Sequence, residues 1–598
     1  MKKGMLLICL FAVGIIGSAF AQEEWDDFIE SVRGDTVVVR SAQDMQGRAN
    51  TLLNAIELDE DAPDGRVYEL QRGGLYWQNR DLSTPADRML RVVGEDYGLM
   101  VQADDEGGPP IIARVEEEGD MFALDQIFIN NDFLLKNIYA TTGSPGEYQH
   151  FTLMTANASD ITITLENVYM EHNNWVFVQS NDYPNNRIHI SDSYFVNMSG
   201  NPCRRDGGVY DNVSNPTDEI IVENSTHVMA EGMQYKFRDF PINRAFFNHN
   251  TFVNISGQLF TTFGYQVNWT VVNNLFVNAN VQGYMPGLDG GETDQDNLPH
   301  GIINVNHLPA AIDVADDERM ILVDRNGVFW DDRIDQIVEE LIAQQTNNTT
   351  DWHSQAITMN ERTAEIFADN DRYPLLTEGS WIFGGDPGFV EDMGLMTDGV
   401  DDLVEYSINA ADLGNASTMP KWRHPDNPAS ENYIWPDWPV PVNLAYTNEA
   451  YTTAALGGYP LGDLNWWPAE KAAWLLEKDE LYAELEAALN EGRVPTSVEE
   501  IGGQIPSTLE LSQNYPNPFN PTTQIRFSLP EQANVKLEIF DVTGRRVTTL
   551  INEHMQSGNY TVTWDATDRS GRSVTSGVYI YRLQAGDMVE SKRMMFLK

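Results

Sequence analysis

The chain has 598 residues, with 38 Lys and Arg against 90 Asp and Glu, and a formal net charge of −52 at pH 7. Nucleic acid and anionic membrane would repel such a polyanion, so both are excluded as predicted partners. Hydrophobic residues make up 42% of the chain and there are 14 tryptophans, which excludes a disordered protein and predicts several packed domains.

The N-terminus has the pattern of a secretory signal peptide, predicted to span residues 1–21. Lys2 and Lys3 precede an apolar run from Met5 to Ile16, and an A-x-A cleavage site ends at Ala21. The run is too short to cross a bilayer and no later stretch is as long, so we expect no membrane span. Removal of the signal leaves Cys203 as the only thiol, and no internal disulfide is expected.

Residues 22–330 are predicted to form a solenoid with an N-terminal cap. Residues 51–58 have the composition of a short capping helix. The segment APDGRVYELQRGGLYWQN from Ala62 to Asn79, with RMLRVVGED and PPIIARV after it, resembles the opening coils of right-handed parallel β-helix proteins of the pectate lyase type. That resemblance implies a β-helix that begins near residue 62.

An internal repeat supports the same fold. An Asn or Asp recurs at steps of 30, 25, 32, 26 and 24 residues, with apolar residues two and four positions before it in most copies. The recurring residues are Asn137, Asn167, Asp192, Asn224, Asn250 and Asn274, and two positions after them stand Tyr139, Tyr169, Tyr194, Thr226, Phe252 and Phe276.

Each copy places its apolar residues on one face of a short strand, which is buried only when copies stack. A strand unit that recurs every 25 or so residues without a helical pattern predicts a parallel β-helix. The Asn or Asp would turn the chain in the left-handed region, with the six positions in one line along the axis and the aromatics stacked beside them. The two long steps predict inserted loops at 142–150 and 201–216, on the binding face.

Basic residues are scarce, so their clustering around residue 236 is informative. The candidate catalytic residues are Lys236, as a proton-abstracting base, and Arg238, which would hold a sugar carboxylate. The candidate substrate-binding residues are Arg204, Arg205 and Arg244. The alternative is that these cations are surface residues paired with nearby acids.

The stretch from Glu231 to Lys236, followed by NRAFFNHNTF, resembles the Lys-bearing coil of alginate and chondroitin lyases. That resemblance implies attack on acidic polysaccharide. The family has Arg-His-Gly in the next coil, where this chain has Thr261, Thr262, Phe263 and Gly264, so catalysis stays open.

A second candidate site lies in the Gly-rich loop DGGETDQDN. Its carboxylates Asp289, Glu292, Asp294 and Asp296 are the oxygen ligands that Ca²⁺ prefers, and Ca²⁺ is the one cofactor that the sequence indicates. Their order is not that of an EF-hand, and a solvated acidic loop is the alternative.

Residues 331–495 are predicted to form a helix-containing extension with the closing segments of the solenoid. An amphipathic helix is predicted over 331–345, with Ile334, Ile337, Leu341 and Ile342 on its apolar face. A second is predicted over 468–490, with Pro468 in its first turn, Gly492 after its end and the apolar stripe Ala472, Leu475, Leu476, Leu481 and Leu485. The tryptophans of this region, Trp422, Trp435, Trp438, Trp466 and Trp467, could stack on sugar rings, but packing of irregular loops is the favoured interpretation.

A polar linker over 496–514 precedes a C-terminal domain over 515–598. It opens with YPNPFNPTT, whose prolines force an extended backbone, and continues with alternating strands and turns that predict roughly seven strands of an immunoglobulin-like sandwich. This opening, VKLEIFDVTGRRV, SGVYIYRL and the basic end from Lys592 closely resemble the C-terminal sorting domain of the type IX secretion system of Bacteroidetes. That resemblance implies recognition by the secretion machinery.

The predicted fold class is therefore all-β: a right-handed parallel β-helix, a helix-containing irregular region and a C-terminal immunoglobulin-like sandwich. The favoured function is a secreted or cell-surface β-helix protein, a monomer that reaches the outside through the periplasm and contacts extracellular polysaccharide. Two alternatives stay open: a calcium-assisted polysaccharide lyase and a non-catalytic structural or adhesive solenoid.

Overall fold

The computed structural model describes most of the body of the chain and the strands of the C-terminal domain. The described residues are 24–96, 108–114, 127–141, 152–173, 175–198, 207–213, 215–237, 240–261, 266–281, 298, 300–310, 312–337, 340, 356–409, 440, 442–496, 510–511, 514, 517, 519, 523–530, 532–542, 545–555, 558–564, 566, 574–586 and 588–596. No helix among them is both long enough and apolar enough to cross a membrane.

Three long sheets, each built from one strand per coil, form the body of the molecule. Sheet A contains Ile29–Arg33, Thr36–Val39, Val67–Leu70, Leu90–Gly94, Phe133–Lys136, Thr162–Glu166, Asn186–Ser191, Thr217–Glu223, Ile242–Asn248, Asn268–Val272, Met320–Asp324 and Leu376–Glu378. Sheet B contains Leu75–Gln78, Ile111–Arg114, Tyr139–Thr141, Tyr169–Asn173, Tyr194–Met198, Thr226–Ala230, Thr251–Ile255, Leu275–Ala279, Asn326–Phe329 and Trp381–Ile382. Sheet C contains Leu82–Ser83, Ile127–Ile129, Thr152–Ala156, Val176–Ser180, Gly208–Asp211, Tyr235–Lys236 and Phe260–Thr261.

All strand pairs in these sheets are parallel except the first, in which Ile29–Arg33 forms an antiparallel hairpin with Thr36–Val39. From Val67–Leu70 onward, consecutive strands of the chain belong to different sheets, and each strand pairs with its equivalent one coil away, which is the arrangement of a parallel β-helix. The predicted fold is confirmed. The coils continue to Ile382, beyond residue 330.

The interior of the coil is a continuous apolar core. It includes the predicted pairs Phe133 and Leu135, Ile163 and Leu165, Ile188 and Ile190, and Ile220 and Val222, all buried. The predicted N-terminal cap is present as helix α1, Thr51–Glu57, which buries Leu52, Leu53 and Ile56 against the same core. The cap therefore covers the open end of the first coils.

The turn that follows each strand of sheet A has the predicted left-handed geometry, but its register differs from the prediction in two coils. Asn137, Asn167, Asp192 and Asn224 have φ between 46° and 57°. In the next two coils the turn residues are His249 and Asn273, not Asn250 and Asn274. The prediction was one residue out because an Asn stands beside the true turn position in both coils.

Asn250 and Asn274, which stand one position after these two turn residues, belong to a separate buried ladder. The side-chain Nδ2 of Asn250 donates to Oδ1 of Asn274 at 3.0 Å, and Nδ2 of Asn274 donates to Oδ1 of Asn326 at 3.0 Å. The same oxygens accept the backbone N–H groups of Asn250 and Asn274 at 2.9 and 3.1 Å. The ladder satisfies backbone groups that the turn leaves unpaired inside the coil.

The register also divides the aromatic residues into two stacks. Tyr139, Tyr169 and Tyr194 stack with ring centroids 5.0 and 5.1 Å apart on the outer side of sheet B. Phe252 and Phe276 are one position further along and lie inside the coil, 5.3 Å apart. The predicted stacking is present, but not as one column.

The chain after the last coil packs against the outer faces of sheets A and B. Helix α2, Glu361–Ala368, precedes the strands of the last coil and packs on the interior core, whereas helices α3, Asp398–Asn409, and α4, Pro468–Glu491, belong to this later part of the chain. Shorter elements are the 3-10 turns Trp25–Phe28, Asp332–Ile334, Leu456–Gly458 and Leu464–Trp466, and the antiparallel pair Phe389–Glu391 and Asn443–Tyr446. Ile334 and Ile337 are buried as predicted for the segment after Asp331, whereas Leu341 and Ile342 lie outside the described residues.

Helix α4 confirms the second predicted helix and corrects its buried face. Gly492 ends it with φ of 62°. Leu475 and Leu476 are exposed, although both were placed on the apolar stripe. The buried stripe is Lys471, Trp474, Leu481, Leu485, Ala488 and Leu489. Lys471 can lie on this buried stripe because its ammonium group donates to Asp192 and to Asn465, both at 2.6 Å. These contacts pair the charge under the helix.

The C-terminal domain is a sandwich of two antiparallel sheets with a separate core. One sheet contains Glu510–Leu511, Thr523–Leu529 and Gly558–Trp564. The other contains Arg546–Met555, Ala533–Asp541, Gly577–Ala585 and Met588–Phe596. Ile525, Leu537 and Tyr581 are buried between the sheets. The immunoglobulin-like fold predicted for this domain is confirmed.

Candidate functional site

Lys236 lies on the short strand Tyr235–Lys236 of sheet C. It pairs in register with Asp211 of the preceding coil and Thr261 of the next. Tyr235 points into the apolar core, so alternation along the strand directs Lys236 to the outer face of the sheet. Only 4% of Lys236 is exposed, which counts against its access to a polymer in this conformation.

A column of polar residues runs along this face of sheet C. Gln179 precedes Asp211 in the register and donates from Nε2 to Oγ1 of Thr155 at 2.7 Å. Trp175 donates from Nε1 to Oδ2 of Asp211 at 3.1 Å. Asp211 is fully buried, so its carboxylate is held in place by this indole and by the backbone N–H of Val213 at 2.7 Å. Asp211 and Trp175 were not among the site residues predicted from the sequence.

Arg244 lies on a different sheet from Lys236. It is on the strand Ile242–Asn248 of sheet A, where it pairs in register with Glu219 and forms an ion pair with that carboxylate. The guanidinium side chain is 48% exposed. Arg244 and Lys236 therefore lie on different sheets and do not form one site. The exposed cation of the two is Arg244, on sheet A.

Arg244 belongs to a solvent-facing ladder of charged side chains that we call the sheet A flank. It consists of Lys136, Glu166, Arg187, His189, Glu219 and Arg244 on the outer face of sheet A. Lys136 donates to Glu166 at 2.6 Å, and His189 is hydrogen-bonded to Glu219 at 2.7 Å. The ladder places opposite charges in neighbouring coils, about 4.8 Å apart along the axis.

The centre of the flank is Glu219. Burial alone would raise its pKa, but hydrogen bonds from Arg244 and with His189 outweigh the burial and lower the pKa below its ordinary value. Glu219 therefore stays ionised and holds Arg244 in an extended position on the face of the sheet. Arg187, one coil earlier in the same register, lies 3.7 Å from Asp218.

Helix α4 defines where the flank ends. Lys478 of the helix forms an ion pair with Glu223, and Tyr482 packs on Phe246 with ring centroids 5.0 Å apart. The outer face of sheet A is therefore covered from these residues onward, and the part that no described element covers runs from Lys136 to Arg244.

The sequence contains a periodic signal for the flank, but the predicted register of one repeat was wrong by one residue. Arg187, Glu219 and Arg244 each stand five residues before the true turn residues Asp192, Asn224 and His249. The error of one residue in the fifth copy of the repeat hid this periodicity, so Arg244 was found only through the scarcity of cations.

The other predicted site residues lie outside the described residues. These are Arg204, Arg205 and Arg238 of the basic cluster and Asp289, Glu292, Asp294 and Asp296 of the calcium loop. Within the described part of the chain, no three His, Cys, Asp or Glu side chains are grouped so as to hold a metal ion. Both sets remain predictions.

Trp466, a tryptophan of the extension, is buried and serves packing, as favoured from the sequence. Trp466 packs against Tyr194 with ring centroids 6.3 Å apart and donates from Nε1 to Oγ1 of Thr226 at 2.9 Å. Trp422, Trp435 and Trp438 lie outside the described residues.

Comparison with known protein families finds a match at the C-terminal end of the chain. Residues 514–587 match the FlgD Ig-like domain family. None of the curated proteins is similar to the chain.

Two solved structures overlap with a short part of this chain. One is dimeric latent PorU from Porphyromonas gingivalis, at 24% identity over 14% of this chain and 9% of that one, with a TM-score of 0.13. The other is PorZ of the same organism, an essential bacterial surface component of the type-IX secretion system, at 23% identity over 17% of this chain and 13% of that one, with a TM-score of 0.13. The chain spans only a small part of either protein.

Proposed function

We propose that the chain is a secreted or cell-surface β-helix protein, exported by type IX secretion through its C-terminal domain, and that it contacts extracellular polysaccharide. The observation that carries the proposal is the separate C-terminal sandwich, because it contains a proline-rich segment that resembles the entry motif of sorting domains. The motif is part of the fold: Asn517 accepts the backbone N–H of Met595 at 2.8 Å, and the N–H of Phe519 donates to the Met595 carbonyl at 3.0 Å.

The same residues support recognition of the folded domain. Phe519 packs on Phe596 and Trp564, with ring centroids 5.1 and 5.6 Å apart, so the motif is fixed beside the last strand. Tyr515, Pro516 and Pro518 lie outside the described residues. A receptor would therefore meet both ends of the domain together.

Deletion of residues 509–598 tests the export proposal. The body should fold, because its core and that of the sandwich are separate clusters, and it should accumulate in the periplasm. The measurement is immunoblotting of periplasmic and extracellular fractions, with a double variant Asn517→Ala, Phe519→Ala beside the deletion. Normal amounts of truncated protein outside the cell would refute export through this domain.

The proposed polysaccharide contact is the sheet A flank. Among the described residues nothing covers the flank, which follows the axis of the coil and presents Arg187 and Arg244. A uronate carboxylate would bind these arginines through paired N–H groups. A linear polymer lying along the axis would meet one charged pair per coil. An acidic protein repels an anionic chain elsewhere, so such cations decide where it binds.

Binding of pectate, alginate and chondroitin to the purified protein tests this contact. Arg187→Ala with Arg244→Ala should weaken binding about tenfold. The control is Arg372→Ala, an exposed arginine paired with Asp316 at the far end of the coil. Equal binding by the double variant and the parent would place the contact elsewhere.

The same incubation decides the lyase alternative. Lyase action creates an unsaturated uronide that absorbs in the ultraviolet, and Lys236→Ala should abolish that signal if Lys236 is the base. If the parent produces no absorbance with any of the three polymers, the protein binds without catalysis at Lys236.

A further inference from the structure

The C-terminal domain differs in charge from the rest of the chain. Residues 514–598 contain ten Lys and Arg against eight Asp and Glu, whereas the preceding residues contain 28 against 82. The domain is therefore slightly basic on a chain that is otherwise strongly acidic. The question is where on the domain this positive charge lies.

Three cations gather around Glu538 on the outer face of the four-stranded sheet. Val535, Leu537 and Ile539 point into the sandwich, so alternation directs Lys536, Glu538 and Phe540 outward. Glu538 accepts hydrogen bonds or ion pairs from Arg546 and Arg582, both at 2.8 Å, and from Lys536 at 2.9 Å. One carboxylate thus fixes three cations, and the cluster keeps a net positive charge.

The cluster is ordered and accessible. The side chains of Lys536, Arg546 and Arg582 are 35%, 51% and 43% exposed, whereas Glu538 is 4% exposed. The guanidinium of Arg582 lies 4.7 Å from the centre of the Phe540 ring, which holds it flat against the sheet. The positive groups therefore face solvent while the negative group that orders them lies beneath.

Apolar side chains border the cluster. Val589 and Met595 on the neighbouring strand Met588–Phe596 are 54% and 41% exposed. Their register places them on the same outer face, opposite Gln584 and Val578. A mixed surface of arginines and exposed apolar residues is typical of protein interfaces.

We propose that this outer face, defined by Lys536, Arg546 and Arg582 with Val589 and Met595, is a docking surface for an acidic protein partner. The proposal rests on the proposed export function, of which it names the partner's chemistry. A four-stranded sheet of this length presents about 20 × 25 Å, which is below the usual area of a stable interface and fits a transient contact.

The occupant is a protein rather than an anionic glycan because of the apolar border. A phosphate- or uronate-bearing glycan would use the three cations but would leave Val589 and Met595 in water. An acidic protein surface with apolar residues at its centre would cover both.

Fluorescence anisotropy with the full-length protein tests the proposal without depending on export. The probe is a labelled 20-residue peptide of alternating Glu and Leu, measured at low and at physiological salt. The double variant Arg546→Gln, Arg582→Gln should bind it about tenfold more weakly. The control Arg526→Gln, Arg545→Gln removes the same charge from outside the cluster and should change affinity less than twofold. Equal losses in both double variants would overturn the proposal.

Glu538→Gln gives a result in the opposite direction. It removes the carboxylate that the three cations share, so affinity for the acidic peptide should rise at least twofold while the melting curve still shows a folded C-terminal domain. Unchanged or weaker binding would contradict the proposal.

Phosphorylated dextran tests whether the partner is a glycan instead. If it competes with the peptide and Val589→Ser has no effect on either ligand, the partner is a glycan. A secreted double variant that has lost peptide binding would refute the docking role while leaving export through the domain intact.

Discussion

His227 and His249 are buried in the body of the molecule, where a charged imidazole would have no contact with water. His227 stacks between Phe195 and Phe252, with ring centroids 5.0 and 4.4 Å away, and its Nε2 is hydrogen-bonded to the Tyr235 hydroxyl at 2.8 Å. Burial lowers its pKa to about 3. Burial lowers the pKa of His249 to about 3 as well.

These pKa values make the fold sensitive to acid. An unfolded histidine has a pKa of about 6.5, so between pH 6.5 and 3 the unfolded state binds more protons and stability falls as pH falls. Each histidine should remove about 1.4 kcal/mol per pH unit below 6.5. Asp463 acts in the opposite direction, because burial raises its pKa to about 7 and protonation then favours the folded state.

Melting temperatures at pH 7.5 and pH 5 test this balance. With two histidines against one aspartic acid, the parent should melt at a lower temperature at pH 5, and His227→Phe should reduce that difference. Tyr235→Phe is the control, since it removes the same hydrogen bond but leaves the titrating ring. An equal pH dependence in His227→Phe and the parent would show that His227 does not govern acid stability.

Site prediction at the level of single residues depended on register. Scarcity of cations was enough to select Arg244, but not Glu219, which fixes it, because carboxylates are common in this chain. Lys236 was selected for the same reason as Arg244. Sequence spacing alone did not reveal that the chain turns a corner between them, from sheet C to sheet A.

At the level of elements, strands and helices were predicted better than their buried faces. Alternation identified the strands of sheet A because each unit buries two apolar residues inside the coil. Helix α4 was predicted from Pro468 to Gly492, but its stripe was misplaced because the helix packs on a charged surface. Lys471 and Lys478 pair with Asp192 and Glu223. A stripe defined by apolar residues alone therefore placed Leu475 and Leu476 on the buried side of the helix, although both are exposed.

The asparagine ladder inside the coil gives a prediction at this level. Asn274→Ala would leave the backbone N–H and side chain of Asn250 without their acceptor and the Phe247 carbonyl without a donor. Each buried unpaired group costs about 1–3 kcal/mol, so the substitution should lower the free energy of unfolding by about 3 kcal/mol. Urea unfolding measures it.

Asn243→Ala is the matched control for the ladder. Asn243 is exposed and its amide lies 3.4 Å from Asp218 on the neighbouring strand of sheet A, so its loss should cost less than about 0.5 kcal/mol. Similar losses in the two variants would mean that the ladder contributes no more than a surface hydrogen bond.

For the whole molecule, the imbalance of charge is the dominant feature. The body contains most of the 90 acidic residues, and like charges on a compact chain repel one another. Each ion pair on the sheet A flank and under helix α4 neutralises one carboxylate. Most of the repulsion among the acidic residues therefore persists. Stability should therefore depend on dissolved ions.

A comparison of melting temperatures in NaCl and in CaCl₂ distinguishes general charge screening from binding at a specific calcium site. Raising NaCl from about 0.01 to 0.5 M shortens the Debye length from about 30 to 4 Å and should raise the melting temperature of the parent protein. CaCl₂ at the same ionic strength should raise it further if the proposed calcium loop binds the ion. The variant Asp294→Asn, Asp296→Asn should keep the response to NaCl and lose the extra response to calcium. Equal melting temperatures in NaCl and CaCl₂ would instead show that the loop is a solvated acidic segment and that screening alone stabilises the chain.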